Sequence, residues 1–377
     1  MKVLWLGSVY PDDIVTREKS LSAAAVLWQS RFIRTLQYAG HDVQTIAHLP
    51  VQAFPRGRFF VSKAESVWAI DPIETSQAAY LNILQFRDMQ LGYKYRGLAK
   101  DLIDRGFVPD VVCSYNTPKH ILRTCRWLKR SLNVPWISFV ADMKAPNKEW
   151  SNLDRGFFES DGVVFFSEKA YVEAPFSRKY HFYGGFDPMK MPPDRQQKRK
   201  MILYAGMLDE QRDLSMLLDA FIDLDDSNVD LVLCGRGNSA RLEYESNMHC
   251  NIRSMGFVDS DVLQKLMMEC HVFVNPRSHG FKSNEYNFPS KVLSYMTYGK
   301  PIVSSWSSSM PSAFKDYLVI PRGNTPSEFK DCLAEVLSWS GEEYEQWNNY
   351  VAPFVEQQSW EANTRNLVDW ILRKFVN

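Results

Sequence analysis

The sequence predicts an α/β protein built from two doubly wound domains. Three observations point there. Short apolar runs ending at small or polar residues alternate with stretches of helical period. The alternation occurs twice, once in each half of the 377 residues. Between the halves lies "FDPMKMPPDRQQKRK", rich in proline and charge and without periodicity, which reads as a linker. The expected division is 1–187 as a first domain, 188–200 as linker, 201–355 as a second domain and 356–377 as a C-terminal helix returning to the first.

In the first half, "KVLWLGS" reads as a strand. Ala25, Trp28, Phe32 and Leu36 recur at helical spacing, and Gly40 ends that helix. "HDVQTIA", "DVVCSY", "WISFVAD" and "GVVFFSE" follow as strands. Such runs suit parallel strands buried on both faces by helices. The second half repeats the rhythm with "KMILYAG", the helix "LSMLLDAFIDL", "VDLVLCGRG", "VLQKLMMEC", "VFVNPR", a helix from Ser290 to Tyr298, and "PIVSS". A last helix, "WEANTRNLVDWILRKF", is expected after a break at Pro353. Two such domains would set the C-terminal ends of both sheets across a cleft, where open α/β sheets bind ligands. The site candidates therefore lie just after strands: Gly7–Ser8, Asp142, Gly206, Gly235–Gly237, Asn275–Arg277 and the loop leading to Lys291.

Composition narrows the class. Hydrophobic and charged fractions of 45% and 23% are ordinary for a globular protein. No run of eighteen apolar residues suggests a membrane span, and Val3–Leu6 is too short for a signal-peptide core. The six cysteines are scattered without a CxxC pair, as expected of reduced thiols in a cytoplasmic protein. The seven histidines show no metal-binding spacing, so no metal is expected. Net charge is zero, but residues 1–190 hold 25 Lys/Arg against 19 Asp/Glu, a balance of +6 offset by −6 in the remainder. The basic residues concentrate in "KHILRTCRWLKR", Lys119 to Arg130. Ile121, Leu122, Cys125 and Leu128 form its inner stripe and Arg123, Arg126, Lys129 and Arg130 its outer faces. Such a helix is either a solvated surface or a contact for an anionic membrane, on whose inner face the protein would be peripheral. Neutral overall charge and the absence of a recognition motif argue against nucleic acid.

"NEYNFPSKVLSYMTYGKPIVSS" raises a local puzzle. Ser290 reads as an N-cap, which puts Lys291 in the first turn of a helix whose N-terminal end already carries partial positive charge. Taken alone, the lysine reads as solvent-facing. A bound anion is the alternative, because helix N-terminal amides and a lysine together make a phosphate site.

The ordered series of motifs resembles the GT-B fold glycosyltransferases, and within them the family-4 group that assembles bacterial surface polysaccharides. The resemblance runs over nearly the whole chain: "YGGFD" at Tyr183–Asp187, "ILYAGML" with Arg212, "LLDAF", "LVLCGRG", "SMGFV", and "VNPRSHG…NEYNFPSKVLSYMTYGKPIVSS". It implies a transferase that moves a sugar from a UDP- or GDP-linked donor to a glycan or lipid-linked acceptor, without a metal and with no cofactor beyond the donor substrate. It implies that Arg212 and Lys291 hold the donor diphosphate, and that Arg277, His279 and Glu285 face the donor sugar. Gly206, Gly235 and Ser290 would belong to the same donor site, with Gly256 and Phe257 lining the base pocket through their main chain. Gly7, Ser8 and Ala24 fall on the acceptor side.

The sequence also departs from the family. Met207 follows Gly206 where the family often has arginine, and Ser294 stands where an acid is thought to hold the ribose. Glu285 and Tyr286 compete for the other acidic position. Ser22–Ala23–Ala24–Ala25 replaces paired glycines, and Ala141–Asp142 replaces a His-Asp pair. Family resemblance implies retention of anomeric configuration. Inversion with Asp142 as general base is the alternative, as in related GT-B glucuronosyltransferases. An N-cap or loop anchor is the structural alternative for Asp142. A sugar-nucleotide epimerase and a non-catalytic nucleotide-binding partner are the rival classes.

Overall fold

The computed structural model describes residues 1–376 except 65–71, 148–149, 151–155, 191–198, 209–213, 238 and 278–281. The chain divides into two compact units: Met1–Gly184 with Trp360–Asn377, and Gly185–Ser359.

Among the described residues the first unit holds nine strands: β1 (Lys2–Leu6), β2 (Asp42–Ala47), β3 (Phe60–Val61), β4 (Thr75–Gln77), β5 (Tyr80–Leu81), β6 (Val111–Tyr115), β7 (Trp136–Val140), β8 (Gly162–Phe165) and β9 (Lys179–His181). Seven form one sheet in the order β4-β2-β1-β6-β7-β8-β9, and all their pairings are parallel. Parallel neighbours need a crossover, here supplied mostly by helices such as Ala23–Tyr38 and Lys119–Leu132. β1, β6, β7 and β8 are almost wholly buried, which is why they appear in the sequence as continuous apolar runs. Strand order reverses between β1 and β6, so the loops after these two strands flank the crevice at which such sheets bind ligands.

An aromatic cluster ties the C-terminal segment to this unit. Trp28 packs on Phe166 at 4.2 Å and edge-on against Trp360 at 5.6 Å. Its indole donates to the Tyr183 carbonyl at 2.9 Å. Asn363 Nδ2 donates to the Gly184 carbonyl at 2.9 Å, fixing the helix Trp360–Ile371 beside the same turn.

The second unit is a five-stranded parallel sheet of β10 (Lys200–Ala205), β11 (Val229–Cys234), β12 (Ile252–Gly256), β13 (Val272–Asn275) and β14 (Ile302–Ser304), in the order β12-β11-β10-β13-β14. Its reversal lies between β10 and β13. The core behind the sheet joins Leu214, Leu217, Leu218 and Phe221 of the helix Leu214–Leu224 to Phe329, Leu333 and Val336 of the helix Pro326–Ser338. Lys300 is buried, and its ammonium caps the helix Ser260–Glu269 by donating to the carbonyls of Met267, Met268 and Cys270 at 2.9, 2.5 and 2.6 Å. A cation at a helix C-terminus meets both the orphan carbonyls and the negative end of the dipole.

Three expectations need correction. Pro353 does not break the chain: it lies inside the helix Gly341–Gln357, and the following helix starts at Trp360. Proline costs one helical hydrogen bond there, while Val351 and Val355 on either side stay buried and hold the helix in place. The 52–104 stretch, to which the sequence assigned no element, contains the antiparallel pair β3–β5 and the helix Leu84–Asp104. The basic helix is less bare than its sequence implies. Arg126 pairs with Glu159, and Lys129 with Asp161 at 2.7 Å, leaving Lys119, Arg123 and Arg130 exposed. Among the described residues no helix is long and apolar enough to cross a membrane. All six cysteines are unpaired thiols, and four of them are buried.

At the end of β2, His48 bonds to the Tyr95 hydroxyl at 2.9 Å and meets the His120 ring edge-on at 4.7 Å. Burial, with His120 and Arg87 adding to it, pulls its pKa down to about 3. Burial pulls His181 to about 4. Both rings stay neutral in the folded chain, whereas the unfolded chain takes up protons near the ordinary value of 6.5. Stability is therefore full above that value and falls as pH drops towards 3, by at most about 1.4 kcal/mol per pH unit for each proton. Thermal melts between pH 7 and 4 should show this slope, and His48→Gln should flatten it whatever its absolute stability. An unchanged slope in the variant would place the acid sensitivity elsewhere.

Candidate active site

The candidate donor-side residues gather at the C-terminal edge of the second unit's sheet. β10 ends at Ala205 and β11 at Cys234, and both strands turn over glycines. Gly206 N donates to the Cys234 carbonyl at 2.8 Å, Leu208 N to the Arg236 carbonyl at 2.7 Å, and Gly235 N to the Gly256 carbonyl at 2.8 Å. Gly235 has a φ of +151°, and a Cβ added to it would stand 1.6 Å from the Gly206 carbonyl oxygen. The two loops thus touch main chain to main chain, which only glycine permits.

Lys291 opens the helix Lys291–Met296. One turn on, the Tyr295 hydroxyl accepts from Ala205 N at 2.8 Å and donates to the Ala205 carbonyl at 3.2 Å. The Tyr295 ring lies flat on Phe273 of β13 at 4.3 Å. Residues four apart share a helix face, so anchoring Tyr295 on the end of β10 carries Lys291 to the same place. Its ammonium lies 4.0 Å from the centre of the Tyr204 ring, a cation–π distance. A Cβ on Gly206 would come within 2.5 Å of Lys291 Nζ and 2.9 Å of the Tyr204 hydroxyl. The glycine leaves room for the ammonium directly above the strand end.

Ser290 occupies the N-cap position but makes no capping bond through its side chain, contrary to the sequence reading. Its backbone is already helical, with φ −55° and ψ −22°, because Val292 N bonds back to Pro289 O at 3.0 Å. Its hydroxyl is therefore not set to accept from the first-turn amides. Ser294 is half-buried on the same helix, and its carbonyl accepts from the Thr297 hydroxyl at 2.7 Å.

Arg277 follows β13. Its guanidinium donates to the carbonyls of Asn284 and Asn287, both at 2.9 Å, and so holds the loop that precedes Lys291. Its own amide and carbonyl are held by the Ser305 hydroxyl at 3.0 Å and Asn324 Nδ2 at 2.7 Å. Glu285 is half-buried at the end of the 3-10 turn Lys282–Glu285 in that loop. Arg236 lies inside the Gly235–Gly237 candidate but was given no role of its own; its guanidinium stacks 4.1 Å over the ring of Phe257. Its signal was its place inside the "GRG" that closes β11. Gly256 has a φ of +63°, and its carbonyl is committed to Gly235. Arg212 and His279 lie outside the described residues.

In the first unit, Gly7 and Ser8 follow β1 and are fixed by the buried Gln29. Its Oε1 accepts from Trp5 Nε1 at 3.0 Å and from Ser8 N at 2.9 Å, while its Nε2 donates to Ala25 O at 3.0 Å. A Cβ on Gly7 would fall 2.1 Å from that oxygen. Ala24 is exposed in the first turn of the helix Ala23–Tyr38. Asp142 is exposed just after β7. Its carboxylate accepts from Asn116 Nδ2 at 3.2 Å, and Asn116 Oδ1 accepts from the amides of Ala141 and Asp142 at 2.9 and 3.2 Å. Asn116 closes β6 in the left-handed region, with φ +42°. The Asn116–Asp142 pair thus joins the ends of two neighbouring strands and is the loop anchor of the structural alternative.

Comparison with known proteins agrees with this architecture. Residues 199–338 match the family model described as Glycosyl transferases group 1. Among solved structures, the lipopolysaccharide outer core galactosyltransferase WaaB in its apo form is 17% identical, with 100% of each chain covered and a TM-score of 0.65. Anabaena Alr3699/HepE in complex with UDP and glucose is 14% identical over 100% of each chain, with a TM-score of 0.66. The catalytic domain of starch synthase IV from Arabidopsis thaliana, bound to ADP and acarbose, is 12% identical over 99% of each chain, with a TM-score of 0.67. No curated protein matches the chain. At these identities the likeness to the solved structures is one of fold, and that fold is GT-B. With the match over the second unit, it supports a glycosyltransferase enzyme.

The loop contact gives a direct test. Gly235→Ala should lower the melting temperature sharply, because its methyl would have to displace the Gly206 backbone. Gly256→Ala meets no atom within 4 Å and should cost only the left-handed strain, about 1–2 kcal/mol. Equal melting temperatures for the two variants would show that the Gly206 and Gly235 loops do not pack this closely.

Proposed function

We propose that the protein transfers a sugar from a nucleotide diphosphate sugar to a glycan or lipid-linked acceptor in surface-polysaccharide assembly. The observation that carries this reading is the Lys291 ammonium above Gly206, at the sheet edge where α/β folds take phosphates. In the transfer, the bond from the anomeric carbon to the diphosphate oxygen breaks and the diphosphate leaves with the electron pair. The acceptor hydroxyl forms the new bond and gives up its proton, to the departing diphosphate oxygen in the retaining course or to Asp142 in the inverting one. Lys291 answers the developing negative charge electrostatically, in the manner of an oxyanion hole. Arg212 is proposed beside it on the family resemblance. Arg236 on Phe257, with the main chain of Gly256, is the proposed seat of the base.

UDP in one structural neighbour and ADP in another support a nucleoside diphosphate leaving group. A UDP- or GDP-sugar remains the proposed donor, and thermal stabilisation by a panel of UDP-, GDP- and ADP-sugars identifies it. The galactosyltransferase neighbour that acts on the lipopolysaccharide outer core supports a cell-surface glycan as the acceptor class. Lys291→Ala should lower turnover about a hundredfold while leaving the melting temperature nearly unchanged. Normal turnover in that variant would remove the phosphate role.

Retention is the favoured stereochemistry. Asp142 supports the inverting alternative, since its carboxylate is exposed at a strand end and free of any cationic partner among the described contacts. As a base it would take the acceptor proton, and Asp142→Asn would cut turnover roughly a hundred to ten thousandfold without weakening donor binding. Proton NMR of the new linkage separates the two courses. A linkage with the donor's configuration leaves Asp142 only its bond to Asn116, and an inverted linkage ends the retaining reading.

A further inference from the structure

The turn after β10 brings no cation of its own. Gly206 has no side chain, and Met207 and Leu208 are neutral. The charge above the turn comes from another element, on the long and rotatable side chain of Lys291. Holding that charge in place is a separate task from holding its helix. Tyr295 anchors the helix through Ala205. A backbone anchor does not fix an ammonium at the end of a flexible stem.

Local electrostatics work against the position. Lys291 is the first residue of the helix Lys291–Met296, and the positive end of a helix dipole repels a cation. Tyr204 supplies the opposing attraction. The centre of its ring lies 4.0 Å from the Lys291 ammonium, and a ring's quadrupole draws a cation to its face. An ammonium carries three N–H donors, so one held over the ring still presents donors on the side away from it.

The ring is itself fixed at both ends. Tyr204 is 2% exposed and belongs to the core cluster of Ile202, Leu208 and Leu214. Ile202, two residues back on β10, shares its face of the sheet. At its tip, the Tyr204 hydroxyl donates to the Met207 carbonyl at 3.0 Å. The chain from Tyr204 to Met207 thus closes on itself around Gly206. A Cβ on Gly206 would stand 2.9 and 3.1 Å from Oη and Cζ of that ring, as well as 2.5 Å from Lys291 Nζ. Ring, ammonium and bare Cα meet at one point of the sheet edge.

We propose that Tyr204 is a positioning residue of the donor site: its ring seats the Lys291 ammonium over Gly206 before a diphosphate arrives. The lysine then loses less rotamer freedom when the anion binds, and preorganisation of this kind strengthens binding. The two tyrosines divide the work, Tyr295 placing the helix and Tyr204 the charge. The ring attracts the ammonium and the hydroxyl braces the ring, so phenylalanine should serve in its place and leucine should not. The inference rests on the reading of Lys291 as a ligand of the donor diphosphate.

Two measurements on the full chain test it. In proton–carbon NMR spectra of the chain labelled at lysine Cε, the Lys291 signal is assigned by its loss in Lys291→Ala. It should lie upfield of the other lysines, because protons over a ring face are shielded. Tyr204→Phe should keep that shift and Tyr204→Leu should abolish it. The wild-type spectrum decides even where Tyr204→Leu does not fold. Calorimetric titration with UDP, GDP and ADP supplies the second measurement. For the nucleotide that binds, Tyr204→Leu should weaken affinity about tenfold, the size of a cation–π contact, and Tyr204→Phe should recover most of that loss. In the Lys291→Ala background, Tyr204→Leu should cost nothing further, since its effect runs through the lysine. The same loss in both backgrounds would make Tyr204 a structural residue alone and overturn the inference. An unshifted Lys291 signal in the wild type, or unchanged affinity in Tyr204→Leu, overturns it too. These failures leave the donor-site reading standing as long as Lys291→Ala by itself weakens binding. If Lys291→Ala binds as tightly as the wild type, or none of the three nucleotides binds, the phosphate role of Lys291 falls and this inference with it.

Discussion

The second unit depends on a contact between two backbones. Where β10 and β11 end, the Gly235 Cα faces the Gly206 carbonyl so closely that no side chain fits between them. That contact draws the two strand-end loops together and sets Gly256, the end of β12, against Gly235 through a hydrogen bond. The edge so formed is lined by main chain rather than side chains. It offers little steric bulk, and peptide groups that other elements can reach. Tyr295 uses this by bonding to both the amide and the carbonyl of Ala205. The helix that carries Lys291 is six residues long, too short to hold its own place by helical cooperativity. Its position is a consequence of that tyrosine and of the Phe273 ring beneath it.

The cations of this unit divide by what they touch. Lys300 and Arg277 point into backbone carbonyls, one closing a helix C-terminus and the other pinning the loop before Lys291. Such cations are structural because their donors replace missing main-chain bonds. Lys291 lies instead over the face of Tyr204, above a glycine whose replacement by any larger residue would crowd the ammonium. A cation over a ring gains a modest attraction from the ring's quadrupole. Lys291 is thus set apart from Lys300 and Arg277 by its place at the strand end rather than by its residue type.

The sheets were legible in the sequence because parallel strands buried on both faces leave uninterrupted apolar runs. β10 and β11, and the helix Leu214–Leu224 between them, fall where those runs and the helical period put them. The glycines after the strands were legible for a related reason, since tight strand ends need them. The 52–104 stretch was not legible. Its helix is apolar on two faces, so no single stripe stands out, and β3 and β5 are two residues each. The Pro353 break failed because proline's local cost was outweighed by burial on both sides of it. Arg277 was placed towards the donor sugar by the family resemblance, and the sequence could not show that its guanidinium also holds the carbonyls of Asn284 and Asn287. Arg236 was given no role for the converse reason: its partner, Phe257, lies on the neighbouring strand-end loop, just after β12 and twenty-one residues on in the chain.

The first unit solves the same strand-end problem with different chemistry, and the difference bears on what each edge can hold. Here the loop after β1 is fixed by a neutral amide, Gln29, which satisfies Trp5, Ser8 and Ala25 together. The loop after β7 is fixed by another, Asn116, which bonds to two amides and to Asp142. Neutral amides can serve as donor and acceptor at once, so they brace a loop without leaving net charge at the edge. The loop after β7 also exposes two charges of opposite sign, the Asp142 carboxylate and Lys144. The two units therefore hold their strand ends by different means, the second by main-chain contact between glycine loops and the first by neutral side-chain amides.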